Sequence, residues 1–363
     1  MSNLRIPGPT PVPPEIQEAM ATQMFNHRGP AFSKHIGEAT EKLQDFFQTT
    51  NDLLLLTASG TGGLEASIVN FFSPGDHILA VSIGYFGDRI ATIAEGYGAN
   101  VQRLSFEWGS AADPKVIKEA LANNPEIKGV LVTHNETSTG ITNNLEAIAK
   151  EVTKANKLLV VDGVSSAGSI PLLTDDWGCD VVVSGSQKGW MIPPGLAMIS
   201  VSEKAWEANK SASMPRFYFD LTQAKSYLER GQTPWTPAIS IVVALNVALD
   251  MLMKEGREAV FERHHRIANR VRDGVEKLGL TLYADPNHRS DTVTAVSAPN
   301  GIELTEMLRI LREEQDVILA TGQGPLAGKI FRVGHLGWVP DQAINELLEK
   351  LEETLSTASI TQQ

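Results

Sequence analysis

Seven short apolar runs, all within the first 201 residues, limit what this chain can fold into. They are LLLLT (53–57), HILAVSI (77–83), NVQRLSF (100–106), KGVLVTH (128–134), KLLVVD (157–162), DVVVSG (180–185) and LAMISV (196–201). Most carry consecutive rather than alternating apolar residues, the mark of strands buried on both faces. Helical patterns separate several of them, clearest over 114–122 and 145–155. This alternation predicts an α/β fold with a mostly parallel sheet covered by helices. Open sheets of that kind bind ligands beyond the carboxyl ends of their strands. Residues just past each run are therefore the first candidates for chemistry.

Further helices are expected over 15–24, 38–49, 239–253, 260–278, 304–314 and 341–354, with TLYAD, TVTAVSAP and KIFRVGHLG as punctuation between the last ones. The pattern divides into an amino-terminal arm (1–20), a large sheet-bearing domain (21–255) and a smaller carboxyl-terminal α+β domain (256–363). With 363 residues, 42% of them hydrophobic and 20% charged, the chain is expected to be folded and able to bury more than one core. A net charge of −12 argues against nucleic-acid and anionic-membrane partners, though a few local donors still suffice for a small anion. The single cysteine, Cys179, rules out an intrachain disulfide and a thiolate metal cluster, and no metal site is read. No apolar run approaches the ~20 residues that cross a membrane. MSNLRIPGPTPVPP lacks an apolar signal core and STASITQQ lacks a lipidation box, so a soluble cytoplasmic protein is expected.

Two of the runs end on reactive groups. KLLVVD ends at Asp162, and DVVVSG leads through Ser186 and Gln187 to Lys188. Such a pair suits pyridoxal 5'-phosphate (PLP). A lysine amine forms a Schiff base with its aldehyde, and a carboxylate keeps its pyridine nitrogen protonated so that the ring withdraws electrons. Taken singly, Lys188 also reads as a surface lysine and Asp162 as a helix cap. SGTGGLE places Ser59, Thr61 and the backbone of Gly60, Gly62 and Gly63 at a strand-to-helix turn, where amides and the helix dipole favour a phosphate. It also reads as a glycine turn serving geometry alone. Phe86, with Tyr85 second, could cover a planar ring or simply pack in the core. Thr137 follows KGVLVTH as a hydroxyl donor or a loop stabiliser, and Arg332 in FRVGHLG carries a planar fork suited to a carboxylate or to an ordinary ion pair.

Together PGPTPVPP, SGTGGLEA, THNETSTG, VVDGVSS and SGSQKG, in that order, resemble the class V aminotransferases, PLP enzymes of fold type I. The likeness is strongest to their alanine–glyoxylate and serine–glyoxylate/pyruvate branch and runs from Pro7 to the final helix. It implies that Lys188 binds the cofactor and shuttles protons, Asp162 partners the pyridine nitrogen, and Val164 packs on the ring. It assigns Gly60 and Thr61 to the phosphate turn, Thr137 to the cofactor hydroxyl, Gln187 to the position before the lysine, and Phe86 to the stack, where many relatives carry tryptophan. It gives the substrate carboxylate to Arg332 and to the loop around Gly8, with His27 and Arg28 near the entrance. RGQTPWTP is expected to cross a homodimer interface toward the neighbour's phosphate, through Thr236 first and Thr233 in reserve, although the Tyr-His-His-Thr form of animal-like relatives is absent. The implied reaction exchanges an amino group between a small amino acid, alanine or serine, and a small 2-oxo acid such as glyoxylate or pyruvate.

Other functions are weighed on the same residues. A desulfurase needs a mobile nucleophilic cysteine, whereas Cys179 precedes a core strand. A dehydrogenase needs a dinucleotide fingerprint that is missing. A PLP lyase or decarboxylase stays open, because one Schiff base supports several bond cleavages. So does an accessory subunit with a retained fold, against which Lys188, Asp162 and Arg332 weigh.

Overall fold

All seven runs become strands in the computed structural model, which describes residues 2–360, with side chains to residue 357. They are β1 (Asp52–Ala58), β2 (His77–Ser82), β3 (Asn100–Ser105), β4 (Ile127–Thr133), β5 (Leu158–Asp162), β6 (Val181–Gly185) and β7 (Gly195–Val201). One sheet joins them in the order β1-β7-β6-β5-β4-β2-β3, and only β7 runs against the others.

The consecutive apolar residues have a direct physical reason. Side chains alternate between the two faces of a strand, and both faces here are covered. Leu79, Val81, Val130, Val132, Leu159 and Val161 enter one core, against helices Pro30–Phe47 and Ile239–Glu255. Ile78, Ala80, Leu131, Leu158, Val160 and Val183 enter the other, against helices Gly60–Phe71 and Tyr85–Gly96.

Helix ends follow local chemistry. Ser59, Asp113 and Asn144 each cap a helix by accepting a backbone N–H from its first turn. The helix expected over 38–49 begins earlier, at Pro30, because Phe32 and Ile36 extend its buried stripe and proline is tolerated in a first turn. The one expected over 15–24 covers only Pro14–Met20; Ile16 is its sole buried residue, and beyond it Met24 is 55% exposed. TLYAD makes a single bridge, Leu282 to Val296, instead of a strand.

The carboxyl-terminal part holds a three-stranded antiparallel sheet of β8 (Val293–Ser297), β9 (Ala320–Thr321) and β10 (Ile330–Gly334) in the order β8-β10-β9. Its core gathers Ile267, Val271, Phe331, Val333 and Leu347, with helices Arg257–Lys277, Leu304–Glu313 and Asp341–Ile360. The last three residues of the STASITQQ tail lie outside the described residues. The amino-terminal arm touches both cores. Asn3–Leu4 pairs in parallel with Val317–Ile318, whereas Ile16 joins a large-sheet core. Between them the arm passes Gly334, where a β-carbon would meet Ile6 O at 2.2 Å. No helix among the described residues is long and apolar enough to cross a membrane.

Candidate active site

The carboxyl ends of β1, β2, β4, β5 and β6 open on one edge, and the segments leaving them enclose a cavity of about 210 Å³. Ser59, Gly60, Thr61, Phe86, Thr137, Asp162, Val164, Gln187 and Lys188 line it, joined by Leu64, Arg89, Asn135 and Ser165. Gly8 abuts it: at φ +116°, a β-carbon there would lie 2.7 Å from Lys188 Nζ.

Asp162 is 4% exposed and accepts Val164 N–H through Oδ1 at 3.0 Å. Burial pushes its carboxyl up to about 6, while that hydrogen bond, Lys188 and Arg89 pull the other way. Lys188 Nζ donates to Pro7 O at 2.5 Å, and Thr10 ties the arm down by donating to Lys188 O at 3.1 Å. Protein packed around this amine lowers its pKa to about 8; Asp162 opposes the shift, and Arg332 and Arg89 add to it. The cleft therefore holds a lysine close to neutrality beside a buried carboxylate, a setting for moving a proton near neutral pH.

Arg332, 6% exposed on β10, stands outside the cavity lining. Its Nε donates to Thr321 O at 3.0 Å, and its Nη1 donates to Thr137 O and Gln323 Oε1, both at 3.1 Å. These bonds fix the plane of the fork, and Nη2 has no partner among the described residues. Burial lowers this guanidinium to about 10, opposed by Glu136.

Four residues were not picked out from sequence. Asn135 and Ser165 interlock with Thr137: Asn135 Nδ2 and Thr137 Oγ1 both donate to Ser165 Oγ at 2.9 Å. Glu136 is buried and accepts from Phe86 N–H, Gly87 N–H and both the amide and hydroxyl of Ser138. It thereby holds the turn that carries Phe86. Burial raises it to about 7, against the Ser138 and Gly87 bonds. The polar stretches just beyond two core strands, THNETST and DGVSS, contained the signal for three of these four. Arg89 is the other, and only its helix brings it in.

Other candidates are not brought to this cavity. Thr233 and Thr236 line a separate recess with Tyr218 and Trp235, and Thr233 Oγ1 donates to Trp235 O at 2.7 Å. Arg28 holds the same segment by donating to Gln232 Oε1, Thr233 O and Pro234 O. Tyr85 stays out of the lining that Phe86 joins. Gly63 N–H is spent on Ser59 O within the helix, so the donors left at that turn are the amides of Gly60 and Thr61 and the hydroxyls. Cys179 is a free, buried thiol, pushed up by burial and by Asp180 and Asp175, which suits no nucleophile.

The aminotransferase class V family model matches residues 7–332. The chain belongs to that family. Among the relatives, the "Soluble hydrogenase 42 kDa subunit" of Anabaena cylindrica is 44% identical, covering 97% of this chain and 92% of its own length. The serine–glyoxylate aminotransferase of Methylorubrum extorquens is 39% identical, covering 93% and 86%. The solved alanine–glyoxylate aminotransferase of Nostoc sp. superposes with a TM-score of 0.94 at 31% identity, covering 98% of this chain and 95% of that one. The motif-based resemblance to the class V enzymes and their glyoxylate branch is borne out, as is the large α/β plus smaller carboxyl-terminal fold.

Class V aminotransferases use PLP, and the cleft fits it. Gly60 leaves a cradle that a β-carbon would fill, 2.7 Å from Val164 Cγ2. Gln187 Oε1 is buried on the wall with no hydrogen-bond partner. Ser59 Oγ accepts from Gly62 N–H at 3.3 Å and keeps its own proton for an incoming oxygen.

Proposed function

We propose that this class V aminotransferase is an alanine–glyoxylate aminotransferase, with serine as the alternative donor. The observation that carries the reading is the pairing of Lys188 and Asp162 in one cleft, with Arg332 anchored to Thr137 at its rim. Glyoxylate as acceptor draws on the activities for which the serine- and alanine-using relatives are named.

When bound, PLP supplies an aldehyde that condenses with amines and a ring that draws electrons from the substrate α-carbon. The chain's residues do the rest. Lys188 Nζ, shifted toward neutrality, holds the cofactor and then carries the proton to and from the α-carbon. Asp162 would partner the pyridine nitrogen, Phe86 and Val164 would pack on the ring, and Thr137 would meet its hydroxyl. Ser59, Gly60, Thr61 and Gln187 would hold the phosphate. Arg332 offers Nη2 to the substrate carboxylate, and the arm at Gly8 shuts water from Lys188.

The same reading makes the protein a cytoplasmic homodimer. The 231–237 segment turns Thr233 and Thr236 away from their own cleft, beside Phe217 (71% exposed) stacked on Trp235 at 4.9 Å, an apolar surface suited to a second copy. A lone buried thiol with no disulfide fits a reducing compartment. The hydrogenase name of the 44%-identical relative favours a second reading, an accessory subunit.

A half-reaction screen decides among these. Alanine should convert bound PLP to its amine form, seen in the absorbance spectrum, and glyoxylate should restore it. A faster response to serine moves the assignment to the serine enzyme. A cofactor-loaded protein inert to every small amino acid would sink the enzyme reading in favour of the accessory one.

A further inference from the structure

Arg89 is a cation with no carboxylate in ion-pair contact among the described residues. It lies one turn into helix Tyr85–Gly96, three residues from Phe86 and hence on the same side of the helix. Its guanidinium carbon sits 4.8 Å from the centroid of the Phe86 ring and 5.2 Å from that of Tyr85. Its hydrogen bond goes from Nη1 to Thr61 Oγ1 at 3.3 Å. Among the described residues no carboxylate oxygen comes within 4.0 Å of it. The adjacent Asp88 is engaged elsewhere, accepting from Ser82 Oγ at 2.8 Å and lying 3.7 Å from Arg103.

A charge kept in a partly buried cleft is costly unless a counter-ion meets it. The groups around Arg89 define which one. Thr61 stands in the first turn of helix Gly60–Phe71, whose free amides and dipole also call for negative charge. Gln187 shares that lining, and its side-chain Nε2 is a further donor on the wall. A planar fork, a helix amino terminus, two hydroxyls and an amide nitrogen thus converge, and Asp162, the carboxylate of the same lining, forms no ion pair with Arg89 within 4.0 Å. That donor set matches a phosphate dianion. Arg332 serves the opposite need from β10, so the two arginines divide the site into a phosphate end and a carboxylate end.

Resting on the reading of this cavity as the PLP site, we propose that Arg89 is the counter-charge of the cofactor phosphate, held ready by Thr61 and the Phe86 ring. Arg89 therefore governs retention of the phosphorylated cofactor rather than the chemistry at Lys188.

The test compares wild type, R89K and R89Q stripped of cofactor and titrated with PLP and with pyridoxal, which lacks the phosphate, by tryptophan fluorescence. R89Q should weaken PLP by about 10- to 100-fold and pyridoxal by less than about threefold, with R89K between. Inorganic phosphate should compete with PLP on the wild type and lose that effect in R89Q. Equal weakening of both ligands would reduce Arg89 to a packing residue beneath Phe86 and overturn the proposal. So would unchanged PLP affinity with a raised KM for a dicarboxylic donor, which would make Arg89 a reader of the substrate side chain. If R89Q misfolds by circular dichroism, R89K alone carries the same PLP-to-pyridoxal contrast. A wild type that binds neither ligand would instead defeat the PLP reading itself.

Discussion

The large sheet has a recess at each end of its strands, and the contrast between them shows how a working site differs from a mere gap. The recess at the amino ends is the larger, about 350 Å³, and three lysines line it. Each is engaged: Lys128 with Asp76 at 2.6 Å, Lys157 with Pro125 O at 2.6 Å, and Lys204 with Asp180 at 3.1 Å. The recess at the carboxyl ends is smaller, about 210 Å³, yet its cations have no ion-pair partner among the described residues and one buried amide oxygen has no hydrogen bond. Lys188 has only a backbone carbonyl, Arg89 only a hydroxyl and two rings, and Gln187 Oε1 nothing. Volume does not distinguish the two. Unsatisfied charge does, because stability alone would have paired it.

The comparison can be broken most sharply at Lys188. K188A should lower transamination by at least about 1000-fold, since no other amine stands at that position, while circular dichroism stays native. Near-normal turnover would remove Lys188 from the reaction.

A smaller effect concerns stability. The amine of Lys188 titrates at about 8 in the folded protein against an ordinary 10.5. Between those values the unfolded chain binds a proton that the folded chain does not, so stability falls as pH drops from 10.5 to 8 and rises again on the way up. Below pH 8 the full cost of burying the charge applies. Cofactor-free K188M should therefore exceed wild type at pH 7 by on the order of 1–3 kcal/mol, and the gap should close as pH climbs from 8 toward 10.5. Urea midpoints at pH 7 and 10.5 measure it; an identical gap at both would show that the amine carries no such cost. The smallest effect belongs to the paired end. K128A should change turnover by less than about twofold and stability by no more than about 1 kcal/mol, because an ion pair with one largely exposed partner contributes little. A loss of activity there would tie the far recess to catalysis.

Much of this contrast was already legible in the residues. KLLVVD and DVVVSG announce strands buried on both faces, and the residues just past such strands must stand at the sheet edge. Asp162 and Lys188 could therefore be named before their cavity was seen. SGTGG was readable because a strand-to-helix turn exposes amides wherever it occurs. Glu136 was harder, since its role depends on Phe86 and Gly87, some fifty residues away, donating to it. The surroundings of Arg89 and Arg332 were harder still. An arginine in a helix or strand has the same local signature whether it meets solvent, a carboxylate or a ligand.

The sequence by itself determined the strands, their burial on both faces, the edge on which chemistry must lie and the family. The consecutive apolar runs and the turn residues are local properties that act wherever the chain goes. Only the tertiary structure decided which cations were left unpaired. It set Arg332 on Thr137 across 195 residues, Arg89 against Thr61 and Phe86, and Gly8 over Lys188, while giving every lysine of the opposite recess a partner. Charge compensation is a property of neighbours in space, and no spacing along the chain encodes it.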